Sequence, residues 1–147
     1  MRSVVAVGAG ILSWGLLWVS ANAGLAAVLP TRFDAAGVAT DPLVLVAFLG
    51  ICTLLCVMAG WLCARIAGRS IMKHVLALAL IQLAIGIAVQ TSVWGLMPAW
   101  YHLSFLGLVV PMHLVGGKLR MAQLLKGRSQ ESRPVPPAGT SLKQSPA

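Results

Sequence analysis

The chain has 147 residues, of which 59% are hydrophobic and only 10% charged, with a net charge of +8. Its mean hydropathy is +0.89 and its pI is near 10.5. A soluble domain is about 45–50% apolar and about 25% charged, so this composition speaks against a soluble enzyme, a nucleic-acid-binding domain and a disordered chain.

Four apolar stretches follow one another, at about residues 4–29, 43–64, 75–97 and 99–117. A hydrocarbon core of about 30 Å takes about 20 helical residues, so each stretch is long enough to span it. In lipid the backbone must satisfy its own hydrogen bonds, which makes these spans helices. The sequence therefore predicts an all-α polytopic membrane protein: four transmembrane helices in an antiparallel bundle over residues 1–120, with a disordered basic Pro/Ser-rich tail over 121–147.

Local chemistry marks the boundaries. Asp41-Pro42 reads as an N-cap followed by proline in the first turn of span two. Gly68 is expected to end that span and Gly116-Gly117 to end span four, because glycine adopts the left-handed conformation that closes helices. Gly95-Leu96-Met97-Pro98 forms a tight turn between spans three and four. In the first loop, Asp34 is expected to pair with Arg32.

The basic residues fall on one side of this pattern. Arg2, Arg65, Arg69, Lys73, Lys118, Arg120, Lys126, Arg128, Arg133 and Lys143 flank one set of span ends; only Arg32 flanks the other. The positive-inside rule then predicts both termini in the cytoplasm. Ala21-Asn22-Ala23 also fits a signal-peptidase pattern, and cleavage there would remove residues 1–23 and leave three spans. Set against it are a positive region of one arginine and apolar character that continues to Leu29.

Small residues line several helix faces at helical spacing. Span one carries Ala6, Gly10, Ser13, Ser20 and Gly24; span two carries Cys52, Cys56, Ala59, Gly60 and Cys63; span three carries Ala77, Ala84, Ala88, Thr91 and Gly95. Small side chains let helices approach closely in lipid, so these stripes are expected to face other helices. Opposite the third stripe lie Gln82, Gly86 and Gln90. The two amides should bond neighbouring helices, or line a wet path or a subunit interface. In span four His102 and His113 share a face, and Pro111 should kink the helix. Trp14 and Trp18 sit one turn apart near the middle of span one, with indole N–H groups that need acceptors such as Asn22 or a glutamine.

Other motifs carry less. Gly8-x-Gly10 imitates a dinucleotide loop, but Ser13 replaces the third glycine and no βαβ pattern follows. Cys52, Cys56 and Cys63 spread over about 16 Å of one helix and cannot together surround one metal ion. His74 and His113 come nearest to a haem ligand pair. No charged side chain stands in the middle of a span, and no serine, histidine and acid fall together as a nucleophilic set.

The stretches Arg32-Phe33-Asp34-Ala35-Ala36-Gly37, Ala59-Gly60-Trp61 with Ala64-Arg65-Ile66, and Met97-Pro98-Ala99-Trp100-Tyr101-His102-Leu103 resemble small bacterial inner-membrane proteins of about this length. The resemblance covers roughly residues 30–117, implies an inner-membrane location and brings no catalytic residues. The expectation is an accessory or assembly subunit acting through helix–helix contacts, with no catalytic residue, cofactor, metal or nucleic acid. Its partners would be the lipid bilayer and a second copy or another membrane protein. The alternatives are an oligomeric channel or transporter with Gln82 and Gln90 on its path, helped by Asn22 and His113, and a haem- or quinone-associated protein using His74 and His113.

Overall fold

The computed structural model describes residues 2–39, 41–68 and 70–131. Four long helices follow one another: α1 (Arg2–Val28), α2 (Pro42–Ala67), α3 (Ile71–Ser92) and α4 (Ala99–Glu131). Short 3-10 turns at Pro30–Arg32 and Trp94–Leu96 lead out of α1 and α3. All four helices are long and apolar enough to cross a membrane.

The apolar residues continue on the outside. Val5, Leu12, Leu16, Leu54, Ile85 and Leu103 are all exposed. A bundle in water turns polar residues outward; here large apolar side chains stand on the outside instead. Inside, α2 and α4 share the largest interface, α1 packs on α2, and α3 packs on α4. The helix α2 is the most buried of the four. Its buried line runs Leu45, Phe48, Cys52, Cys56, Ala59 and Cys63, a spacing of three or four residues that keeps one face on the core.

Two glycines set the α2–α4 distance. A Cβ on Gly60 would collide with the His113 backbone, and one on Gly116 with the Val57 carbonyl and the Trp61 nitrogen. Gly10 plays a milder part between α1 and α3, where a Cβ would press on the Leu78 side chain. An aromatic chain ties the other half together. Trp14 stacks on Trp18 at 5.4 Å, Trp18 meets Phe48 of α2 and Phe105 of α4, and Phe48 meets Phe33 of the first loop.

The caps agree with their chemistry. Asp41 accepts from the Leu43 N–H with Pro42 in the first turn, and Gly68 closes α2 at φ 67°. The left-handed conformation suits glycine because it has no Cβ to clash. In the first loop, Asp34 Oδ1 accepts from the Ala36 and Val38 N–H groups. Arg32 pairs with Asp41 instead. The expected Asp34–Arg32 pair is thus corrected: the Asp34 carboxylate is taken by its own turn, and Arg32 closes the loop across its base.

Helix ends differ where glycine had two possible uses. The fourth helix does not stop at Gly116-Gly117 but runs through both, and through Pro111, to Glu131. Those glycines serve close approach, Gly116 to α2 and Gly117 to Val75 and Met72 of α3. The first part of the expected tail, to 131, is therefore helical; the remainder, with Pro134, Pro136 and Pro137, lies outside the described residues.

Candidate functional site

The buried polar side chains of the described residues are Gln82, Gln90, His102 and His113. They fall into two groups, one near each end of the shared α3–α4 and α2–α4 interfaces.

At the end where α3 turns into α4, His102 is fully buried and its ring stacks on Trp94, 4.7 Å between centroids. His102 Nδ1 lies 2.5 Å from Gln90 Oε1, and Nε2 lies 3.2 Å from the Met97 carbonyl oxygen. A carbonyl only accepts, so Nε2–H donates to Met97. The neutral ring then accepts at Nδ1 when the Gln90 amide presents its NH₂ group, the amide orientation being fixed by the network rather than by shape. The pair fastens α3 to the first turn of α4. Gln82 is equally buried, but its Oε1 has no hydrogen-bond partner.

Deeper along α4, His113 is fully buried. Its Nδ1–H donates to the Val109 carbonyl oxygen at 2.7 Å, which fixes the tautomer and leaves the lone pair on Nε2. Nε2 has no hydrogen-bond partner. Across the interface, Cys52 and Cys56 sit one turn apart on α2 with their sulfurs 3.9 Å from each other. The His113 ring and the Trp14 indole are polar neighbours of the Cys56 sulfur. The Trp14 N–H likewise makes no hydrogen bond of ordinary geometry. Three helices thus converge on one thiol pair, because Gly60 admits the α4 backbone at His113.

The remaining expected positions are dispersed. Asn22 donates to the Trp18 carbonyl of its own helix at 2.8 Å, and the Trp14 indole N–H makes no hydrogen bond to it. His74 bonds the Ser70 carbonyl and borders a groove between α1 and α3 with Ser3, Val7 and Ile81. His113 faces α2 instead, so the two histidines of the expected haem pair have different surroundings. Gly10, Cys52, Cys56, Gly60 and Cys63 are buried as packing residues, and Ser13 is half-buried with its hydroxyl bonded to the Gly10 carbonyl. Ala84 and Ala88 are exposed. Among the described residues the glutamine face of α3 packs inward and its small-residue stripe is exposed.

One contact had no signal in the sequence. Trp61 Nε1–H donates to Gln123 Oε1 at 3.0 Å, and the Arg65 guanidinium lies 5.3 Å from the Trp61 ring centroid. It joins the end of α2 to the extension of α4. Comparison of the chain with protein families, curated proteins and solved structures gives no match, so any function must be argued from this geometry.

Proposed function

We propose that the protein is a multi-pass component of the bacterial inner membrane, with four antiparallel spans and both termini in the cytoplasm. In this reading it is a non-enzymatic accessory or assembly subunit that works through helix–helix contacts. The observation that carries it is the uncovered stripe of α3: Ala77, Ala84, Ala88 and Thr91 are all exposed at helical spacing. Close approach of small residues is a main packing device between helices in lipid, and among the described residues this face is left exposed beyond the groove that Ala77 shares with α1. Charge supports the orientation, with ten basic residues on one side of the spans and Arg32 alone on the other.

The channel reading has less support. Gln90 is engaged with His102, and Gln82 points into the packed bundle of a single chain. A photo-crosslinking residue placed at Ala84 or Ala88 tests the proposal in native membranes. A discrete protein adduct from those positions, absent when the probe is moved to Leu12, is expected. Crosslinks to lipid alone from every position would remove the basis for a subunit role.

A further inference from the structure

We propose that the first turns of α1 and α3 hold one anionic phospholipid, with its phosphate in a polar cleft and an acyl chain in the groove below it. The proposal rests on the membrane reading and not on the subunit role. The cleft has a volume of about 580 Å³ and is lined by Arg2, Ser3, Ala67, Gly68, Ser70 and His74. The groove, of about 480 Å³, is lined by Val4, Val7, Gly8 and Ile11 of α1 and by Ala77 and Ile81 of α3, together with Ser3 and His74. Ser3 and His74 border both, so a polar recess continues into an apolar one, the order of parts along a phospholipid. From Ser3 to Ile11 the groove follows α1 for about 12 Å, at about 1.5 Å per residue, from the cleft toward the middle of the span. Small residues keep it open: a Cβ on Gly8 would meet nothing within 4 Å, and Ala77 is exposed.

Charge selects the headgroup. An arginine guanidinium is always charged, and its fork of N–H donors matches a phosphate. The three acids of the chain are Asp34, Asp41 and Glu131. None of them borders the cleft, so nothing on its lining competes for Arg2. The Ser3 and Ser70 hydroxyls add donors. His74 Nδ1–H donates to the Ser70 carbonyl oxygen at 3.1 Å, which steadies the ring at the junction of cleft and groove. Lys73 borders an adjoining recess that shares Gly68 and Ser70 with the cleft, so the positive field extends beyond Arg2. A zwitterionic lipid would bring an ammonium group into that field, and the lining offers it neither a carboxylate nor a Trp, Tyr or Phe face. Basic residues near the membrane surface attract anionic lipid, and the groove beside them accepts its chain. Ala84 and Ala88, the subunit face proposed above, do not line this groove.

The full chain, purified in a neutral detergent, is offered phosphatidylglycerol and phosphatidylcholine with identical acyl chains, and bound lipid is counted by native mass spectrometry. One phosphatidylglycerol retained per chain is expected, with phosphatidylcholine retained far less. Arg2→Gln should weaken retention about fivefold, the contribution of one basic residue beside an anionic lipid. Gly8→Leu should weaken it as well, by filling the groove. Arg128→Gln, in the last turn of α4, should bind as the parent does, and circular dichroism shows that each variant is folded. Glycerol 3-phosphate, a headgroup without a chain, should not displace the lipid; displacement would mean a site for free anions instead. Equal retention of the two lipids, retention unchanged in Arg2→Gln, or equal losses in Arg2→Gln and Arg128→Gln would each overturn the assignment. Loss of selectivity in a chain that needs detergent removes this site alone, whereas a chain that stays in solution without detergent removes the membrane reading and the site together.

Discussion

Single side chains here divide into those whose polar atoms are matched and those whose atoms are not, and substitution separates the two. Gln90 is matched to His102. Gln90→Leu leaves a buried ring nitrogen without a partner and is expected to destabilise the bundle by about 1–2 kcal/mol, the upper range for interhelical hydrogen bonds in membrane proteins. Gln82 carries a buried oxygen with no partner, so Gln82→Leu should be neutral or stabilising. Unfolding in mixed detergent and SDS measures both, and equal losses at the two positions would contradict the assignment of partners. Asp41 works at the surface. The Arg32 guanidinium, and then the Leu43 N–H, hold its carboxyl below the ordinary carboxylate range. A carboxylate lowered on folding stabilises above its unfolded value near 3.8 and loses that contribution as pH falls through the folded value. Asp41→Ala should therefore lower the melting temperature at neutral pH, and the gap to the parent should close as pH falls through the lowered folded value. A gap that persisted unchanged there would assign the effect to something other than charge.

Helices were the most legible feature, because runs of about 20 apolar residues leave the backbone no other way to satisfy itself in lipid. Asp41-Pro42 and Gly68 were legible for a similar reason: each has one common use at a helix end. Gly116-Gly117 were not, because glycine both ends helices and admits a neighbouring backbone, and only the position of α2 decides between the uses. The same ambiguity governs α3, where a small stripe and a glutamine face are both compatible with burial, and the hydrogen bond to His102 brings the glutamine face inward. The approach of His113 to Cys56 joins residues on separate helices and has no periodicity to reveal it. The close contact is testable. Gly60→Ala places a methyl group against the His113 backbone, where no side-chain rotation relieves it. Overpacking of this kind costs about 1–3 kcal/mol. Gly107→Ala in α4 meets nothing within 4 Å, and should leave stability unchanged or raise it by the helix preference of alanine. The pair, measured by thermal unfolding in one detergent, separates close approach from a general intolerance of helix substitution.

Across the whole molecule the four helices are unequal in a way that bears on topology. At about 1.5 Å per residue the 33 residues of α4 are about 50 Å long, against a hydrocarbon core of about 30 Å. On the proposed reading an untilted α4 would carry a dozen or so residues beyond the core at one end. On the proposed topology that end is the cytoplasmic one, since Lys118, Arg120, Lys126 and Arg128 all lie in the last part of α4 and a basic flank favours the cytoplasmic side. The opposite face of the protein holds the loop of Asp34 and Gly37, closed at its base by Arg32 and Asp41. The three native cysteines are buried, so a single introduced thiol reports its own side of the bilayer. On the proposed topology Ala35→Cys reacts with a membrane-impermeant maleimide added to intact spheroplasts, and Gln130→Cys reacts only after the membrane is opened. Labelling of both from the outside would mean an even number of crossings between them instead of the proposed three, and labelling of Gln130→Cys alone would invert the proposed orientation.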